Sequence, residues 1–559
     1  MHVVPKVARR SLPSLHDTPL WQTSRSFLLG HLAPATLSNK DTAACPTAGR
    51  NAGKGNDILS SRTYTSDFNH MTRREPPEPR GLPLVGTMFS LIMAGGGKKL
   101  HEYVDKRHRQ LGPIYRESIG PVRAIFVNSP NEFRRIFRLE GTMPRHFLPE
   151  SWLLYNEIRQ QRRGLLFMDG EEWLYYRRIL NKLMLMPNSV DLMCAPCQQV
   201  AESLTEKWRI ESRDGATIRD MKNQLYQWSI EGNIFVLYLN DIKCPSSVEV
   251  FLLLVMLAIL MGSRWPDCKQ QMASRYEHLA LMLHQVFEQS VVLSMMPAKL
   301  AMQLRLPIWK KFVTTADTIL DMVRVMVPEL LQLGGDGLLS LMVNDGIRGN
   351  DAIKIIADFI IAAGDTSATS MQWALLLLSG RPELQDQLFD GIKDLSPEET
   401  MQHPLLKNIL RETLRMYPVA PFLTRYLAAD NLIGDYFVTK EDLLILSIWS
   451  SGHNAEHFPQ PEEFQPERWI RIESGGYQGV NHPYGMLPFA LGARSCIGRK
   501  LAETQIYLTL AELNKNFRID CKNRDRIQMI LNLVAVPSEP IILKLTKSLM
   551  QFETQPIVQ

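Results

Sequence analysis

Residues 489–498 are the part of this chain whose residue types point most directly to chemistry. They read Phe-Ala-Leu-Gly-Ala-Arg-Ser-Cys-Ile-Gly and fit the pattern F-x-x-G-x-R-x-C-x-G around Cys496. A chance match to this pattern in a chain of this length is on the order of 10⁻⁴. Cysteine thiolate can bind haem iron, and glycines at positions 492 and 498 would let the backbone approach a porphyrin closely. We therefore predict that Cys496 binds haem iron, that Phe489 belongs to the cofactor site and that Arg494 pairs with a propionate.

A predicted helix over residues 500–513 follows this loop. Cys496 then lies near a helix N-terminus, which favours the thiolate over the thiol. The alternative is a buried structural cysteine, since isolated free cysteines are commonly buried.

A second predicted helix, residues 170–186, carries Trp173 and Arg177, which are four residues apart and so share one face. An indole N–H and a guanidinium group side by side suit an anionic propionate. An amphipathic surface helix is the alternative for this segment. Arg425, in an extended segment beyond Pro418, is a further candidate for propionate binding.

The longest predicted helix runs over residues 351–379. Its middle reads Ala-Ala-Gly-Asp-Thr-Ser from Ala362, which places small and polar residues where bulky apolar ones would pack best. Small residues leave room for a ligand, and the Thr366 hydroxyl can bond to the carbonyl four residues earlier and locally open the helix. The alternative is a tolerated polar patch in a core helix.

Glu412 and Arg415 lie three residues apart on a helix that ends before Pro418. Such a pair is usually an exposed ion pair of little consequence. Arg468, in the segment Pro-Glu-Arg-Trp, offers a second arginine that would complete a Glu-Arg-Arg cluster.

Composition indicates a folded protein in a reducing compartment. The chain has 559 residues, 45% apolar and 22% charged, and a net charge of +5, too small an imbalance to indicate nucleic-acid binding. Its 7 cysteines are an odd and sparse set that disfavours a disulfide framework. The lone pair Cys194 and Cys197 is interpreted as structural, because no second pair or histidine at zinc spacing accompanies it.

The first 72 residues contain no glutamate and are rich in Ser, Thr, Ala and basic residues. Such a leader is typical of an organellar presequence, and we predict mitochondrial import; a disordered tail without targeting function is the alternative. The proline-rich residues 76–83 then mark the start of the domain assigned to residues 73–559. Beyond them we predict a helix at 100–111 and two strands within 114–127.

From about Arg74 onward these segments, in this order, resemble the cytochrome P450 family of haem-thiolate monooxygenases. The resemblance implies a mainly α fold with a smaller β region, in which haem b (iron protoporphyrin IX) lies between the long central helix and the helix after the cysteine loop. It implies that Asp365 and Thr366 relay protons to bound O2. The resemblance also implies that four residues neutralise the haem propionates: Trp173, Arg177, Arg425 and Arg494. It implies a structural role for Glu412, Arg415 and Arg468.

Within the family the chain is similar to the mitochondrial class. This rests on residues 164–173, on the basic residues before Glu412 and on those after the cysteine loop. The resemblance implies electron supply by an adrenodoxin-like ferredoxin and its reductase, which would dock on Lys407, Arg411, Arg499 and Lys500. A solvated basic face is the alternative. Peripheral association with the matrix side of the inner membrane is also implied.

The chain is further similar to the arthropod mitochondrial hydroxylases of ecdysteroid synthesis, especially ecdysteroid 2-hydroxylases. A sterol or steroid substrate is therefore expected, with residues 419–423 and 533–536 lining an apolar pocket. The sequence departs from the family pattern at Ala363, where glycine is usual, and in residues 239–259, which look like an insertion or a gene-model artefact. A microsomal-type P450, a haem-thiolate isomerase, a peroxygenase and a haem-based gas sensor are the alternatives.

Overall fold

The computed structural model describes residues 74–160, 164–187, 189–218, 221–228, 259–264, 279, 282–283, 285–294 and 296–547. The predicted leader and all but the last residue of the possible insertion at 239–259 lie outside these residues.

Helices dominate the described chain, as predicted. Those with defined bounds are, in chain order, α1 (Met88–Met93), α2 (Leu100–Leu111), α3 (Pro130–Leu139), α4 (Glu150–Ile158), α5 (Gly170–Met184), α6 (Ser189–Glu211), α7 (Met221–Trp228), α8 (Ala298–Gln303), α9 (Pro307–Leu333), α10 (Leu338–Asn344), α11 (Gly349–Leu378), α12 (Pro382–Ile392), α13 (Pro397–Gln402), α14 (Pro404–Met416), α15 (Ile448–Gly452) and α16 (Arg499–Asn516).

The smaller β region consists of short strands. They are β1 (Ile114–Ile119), β2 (Val122–Val127), β3 (Thr217–Ile218), β4 (Phe422–Arg425), β5 (Asn431–Ile433), β6 (Tyr436–Val438), β7 (Leu443–Ser447), β8 (Phe517–Cys521), β9 (Met529–Asn532), β10 (Val534–Pro537) and β11 (Leu543–Lys547). The main sheet has the order β1-β2-β7-β4, with β2 parallel to β7 and the other neighbours antiparallel. A second sheet has the order β3-β11-β8, and β5-β6 and β9-β10 form separate pairs.

The long helix α11 crosses the core. Every residue from Ser367 to Leu378 is buried, so the second half of the helix is surrounded by other parts of the protein. It contacts α9, α14 and α16, the last of which is the helix that follows the cysteine loop. This is the arrangement that the resemblance implied.

The predicted element positions are confirmed, with shifts at some ends. α2 and the β1-β2 hairpin lie where expected, and α11 begins and ends one or two residues earlier than predicted. α5 ends at Met184, because Pro187 disfavours helical geometry in the residue before it. α16 extends to Asn516, since the Asn514 side chain donates to the buried Gln385 carbonyl at 2.9 Å, a long-range bond that sequence periodicity does not reveal.

Across the described ranges, none of the helices combines the length and apolarity needed to cross a membrane.

Candidate functional site

The cysteine loop is a strained, tightly folded turn. Phe489, Ala490 and Gly492 all have positive φ, at 65°, 57° and 78°. The Cys496 N–H closes the loop by donating to the Phe489 carbonyl at 2.8 Å. Gly492 is required both for its φ and for space, because a Cβ there would lie 1.9 Å from a carboxylate oxygen of Glu140.

Gly498 has an ordinary backbone conformation, with a φ of −84° that is open to any residue. The expectation that glycine here permits close approach to a porphyrin stays a prediction. The Gly498 backbone hydrogen-bonds the Cys496 sulfur.

The Cys496 sulfur lies three residues before α16 and faces an internal cavity, as predicted from its place before a helix. Cys496 is exposed at the wall of the cavity. Desolvation by the surrounding protein raises the pKa of its thiol, while the Gly498 hydrogen bond and the charges of Arg177 and Arg499 act in the opposite direction. A cation bound at the sulfur would hold it as thiolate, since metal ligation deprotonates a thiol. The site therefore fits a haem iron ligand.

The cavity has a volume of about 350 Å³ and separates the middle of α11 from the cysteine loop and α16. Its lining is predominantly apolar. The α11 wall is contributed by Phe359, Ala362, Ala363, Thr366, Ser367 and Ser370.

The two segments expected to line an apolar pocket behave differently. Val419, Ala420 and Leu423 line the cavity, as predicted. Residues 533–536 are absent from its lining among the described residues, so that prediction is wrong for this cavity. They lie one layer behind it, where the Ala535 N–H donates to the Val419 carbonyl at 3.0 Å.

Thr366 lies on the cavity wall and makes the expected local bond. Its hydroxyl donates to the Ala362 carbonyl at 2.8 Å, and α11 nevertheless continues without a break. The helix is therefore not opened here, contrary to one part of the prediction. Asp365 precedes it on the helix and is half-buried.

The predicted propionate-binding residues converge beside the cavity. The Arg494 guanidinium lies 4.3 Å from the centre of the Trp173 ring and donates to the Met168 carbonyl at 2.8 Å and to Asp169 Oδ1 at 2.5 Å. Arg177 donates to the Ser495 carbonyl at 2.5 Å, and its Nε is buried without a partner among the described residues. We call Arg177, Arg425 and Arg494 the arginine cluster.

The arginine cluster, taken together with the carboxylates that contact it, has a net positive charge. Burial lowers the pKa of Arg494 to about 10. The charge of Asp169 acts to raise this pKa, whereas the charges of Arg425 and Arg177 act to lower it. Burial likewise lowers the pKa of Arg177. Among the described residues, two carboxylates, Glu140 and Asp169, are paired with this cluster of three guanidinium groups, so the cluster fits an additional anion such as a haem propionate.

Sequence reasoning missed the carboxylates that hold these arginines. Glu140, at the end of α3, accepts from Arg425 Nε at 2.5 Å and from the Ala493 N–H at 2.9 Å. Asp169 pairs with Arg494. Glu140 belongs to no motif, and Asp169 lies in the segment 164–173 but had no role predicted for it; the signal that identifies both is the proximity that folding creates.

Glu412, Arg415 and Arg468 form one fully buried cluster. Glu412 Oε1 accepts from Arg415 at 2.9 Å and from Arg468 at 2.8 Å, while Glu412 Oε2 accepts from the Trp469 indole at 2.8 Å. The Arg468 side chain comes from a 3₁₀ turn at Pro466–Trp469. Glu412 and Arg415 are thus a buried ion pair and not an exposed one.

The predicted docking residues divide into two places. Arg411 and Arg499 line one groove on the side of the cysteine loop away from α11, and Lys407 is close enough for burial and the Arg411 charge to lower its pKa. Lys500 instead donates to the Met186 carbonyl at 3.1 Å, at the end of α5.

A thiolate-bearing loop before a helix, opposed across an apolar cavity by a long helix with a central threonine, defines a haem-thiolate oxygenase. The sequence model of the family Cytochrome P450 matches residues 76–545, and the chain belongs to that family. It is therefore a cytochrome P450 monooxygenase with a haem-thiolate cofactor.

Its relatives narrow the class to mitochondrial P450s. The chain is 35% identical over 490 residues to "Cytochrome P450 315a1, mitochondrial" of Drosophila melanogaster, covering 84% of this chain and 88% of that protein. It is 27% identical to "Cytochrome P450 11B2, mitochondrial" of Mus musculus, over 82% of this chain and 89% of that protein. It is 25% identical to the mitochondrial 1,25-dihydroxyvitamin D(3) 24-hydroxylase of Mus musculus, over 83% and 87%. These relatives support a mitochondrial location.

Proposed function

We propose that this chain hydroxylates a sterol or steroid, an ecdysteroid precursor at carbon 2 in the favoured case, with O2 and electrons from a mitochondrial ferredoxin. The observation that carries the proposal is the apolar cavity bounded by Cys496 on one side and Thr366 on the other. An apolar wall suits a sterol skeleton, and the arginine cluster suits the two carboxylates of haem b. The likeness to a mitochondrial 1,25-dihydroxyvitamin D(3) 24-hydroxylase supports the substrate class.

This arrangement gives the cofactor and the residues of the protein different roles in the reaction. Haem, when bound, supplies the activation of O2 and the insertion of one oxygen atom into a C–H bond. Cys496 holds the iron, and the apolar lining of the cavity excludes water from the substrate. Thr366 supplies a proton at the cavity wall, with Asp365 beside it on α11 as the source that replenishes it.

Thr366→Ala is expected to lower product formation about 10²-fold while haem content stays normal and electron consumption continues. The reason is that proton delivery fails but cofactor binding does not. The ratio of hydroxylated product to reduced nicotinamide consumed measures this uncoupling. Thr366→Ser keeps the hydroxyl and should restore coupling, and an unchanged ratio in the alanine variant would remove Thr366 from the proton pathway.

The electron donor is expected to dock at the groove that Arg411 and Arg499 line, with Lys407 beside it. Neutralising two charges in Lys407→Gln/Arg411→Gln should raise the KM for an acidic ferredoxin about tenfold at low salt and weaken its salt dependence. Turnover at saturating ferredoxin should change little. Lys310→Gln/Lys311→Gln removes the same charge from exposed positions on α9 and is the matched control. Equal effects of both double variants would show that only net charge matters.

Peripheral membrane association is supported by apolar side chains near the start of the described domain. Leu84 and Met93 are 99% and 87% exposed, and Phe89 and Ile92 are exposed on α1 between them. Exposed apolar side chains of this kind suit a shallow contact with lipid. We place the protein on the matrix side of the inner membrane, and its recovery in the salt-washed matrix fraction rather than with membranes would contradict this.

Reconstitution tests the function as a whole. The purified holoprotein is combined with ferredoxin, its reductase, O2 and a panel of ecdysteroid precursors and vertebrate steroids. Hydroxylation at carbon 2 of an ecdysteroid precursor, dependent on ferredoxin, is the expected result. Turnover driven by peroxide alone, or conversion without O2, would instead favour a peroxygenase or an isomerase.

A further inference from the structure

His146 lies in the loop between α3 and α4 and was not part of any motif. The loop is fixed on both sides of it. The Pro144 carbonyl accepts from Arg494 Nε at 2.5 Å, and the Tyr426 N–H donates to the Arg145 carbonyl at 3.1 Å. The Phe147 N–H donates to Thr424 Oγ1 at 3.1 Å. These bonds hold His146 against β4 and the cysteine loop, the two segments that carry Arg425 and Arg494.

His146 is half-buried, and both of its ring nitrogens are shielded from solvent with unused hydrogen-bonding capacity. Within the described ranges, neither Nδ1 nor Nε2 has a hydrogen-bond partner, and both atoms are shielded from solvent. The Leu166 backbone is close enough to favour a proton on the ring, yet it lacks the geometry of a hydrogen bond. Buried polar atoms are almost always paired, so two such atoms on one ring point to a missing partner.

The charges around His146 decide what that partner is. Burial lowers the pKa of His146 to about 3, and the positive charges of Arg494 and Arg425 act in the same direction. The ring is therefore neutral at physiological pH and carries one N–H donor. A neutral N–H donor close to the charges of two guanidinium groups suits an anionic acceptor, and a carboxylate satisfies the donor and the arginines together.

We propose that His146 donates a hydrogen bond to a haem propionate held by Arg425 and Arg494. The inference rests on the proposed function, because it presupposes haem bound at Cys496. His146 is then a cofactor-binding residue that acts as a neutral donor among permanent cations. Its contribution differs from that of an arginine, since it adds hydrogen bonding to the site without adding charge.

Haem release from loaded variants to an excess of apomyoglobin tests this assignment. His146→Leu is expected to lose haem about tenfold faster than the wild type, whereas His146→Gln keeps an N–H donor and should stay within about twofold. The ferric–ferrous midpoint potential of His146→Leu should shift to more negative values, since less of the propionate charge is compensated. The red-shifted Soret band of the reduced carbon monoxide complex should remain in both variants.

His101 provides the matched control. Like His146, His101 has a shielded ring nitrogen without a partner within the described chain, but its ring packs edge-on against Trp449. His101→Leu should release haem at the wild-type rate. Equal acceleration in His101→Leu and His146→Leu, or a wild-type rate in His146→Leu, would overturn the inference.

A second measurement covers the case in which His146→Leu does not fold. The propionate bending band in the resonance Raman spectrum should shift in His146→Gln, because an amide replaces the imidazole donor. An unchanged band would overturn the inference. A wild-type protein that takes up no haem would instead overturn the proposed function itself.

Discussion

Cys496→Ala is expected to abolish the red-shifted Soret band of the reduced carbon monoxide complex. That band reports a thiolate ligand of haem iron, and Cys496 is the cysteine that faces the cavity in the part of the chain that the structure describes. Hydroxylase activity should fall to background, because the ligand that favours O–O cleavage is gone. The measurement is the difference spectrum of the reduced protein with and without carbon monoxide.

Cys521→Ala is the matched control for this experiment. Cys521 is a free, half-buried thiol at the end of β8 and lies outside the cavity lining. The band should persist in that variant. If the band survives in Cys496→Ala, the iron ligand has been misassigned, and the roles given to Arg494 and Thr366 fail with it.

Glu412→Gln is expected to destabilise the fold by about 3–5 kcal/mol, because it leaves two buried guanidinium groups without their counter-charge. The carboxylate is fully buried and also accepts from the Gln465 N–H at 3.1 Å, so the glutamine amide would place its own donors against existing donors. The midpoint of thermal unfolding of the haem-loaded protein should fall sharply. Asp321→Asn breaks an exposed ion pair with Arg324 on α9 and should leave the midpoint nearly unchanged.

A double variant tests whether the buried cluster acts as a unit. Arg468→Met removes a cation that Glu412 compensates in the wild type. In the Glu412→Gln background the same replacement should cost much less stability than it does alone, since the two charges depend on each other. Strictly additive losses would show that the residues act separately, contrary to the structural role predicted for them.

Local patterns predicted the elements and several contacts within them. The bond from Thr366 to the carbonyl four residues earlier and the pairing of Glu412 with Arg415 both follow from helical spacing. The ends of the elements were predicted less accurately: α16 extends to Asn516, about one turn beyond its predicted end at residue 513. Residues 533–536 do not line the cavity that they were expected to line, because the layer in which a strand lies depends on what packs against it.

Residue types and their local spacing were enough to predict the chemistry: a thiolate candidate in a characteristic loop, a hydroxyl in the middle of a long apolar helix and a set of arginines for an anion. Those features depend on residue type and on spacing within one element, which the chain fixes locally. Which groups meet across elements became apparent from the fold. Glu140 reaches Arg425 over a separation of 285 residues and the Ala493 N–H over 353, and His146 comes to lie beside the same arginines. Such encounters depend on how helices and strands pack, and side-chain periodicity carries no information about them.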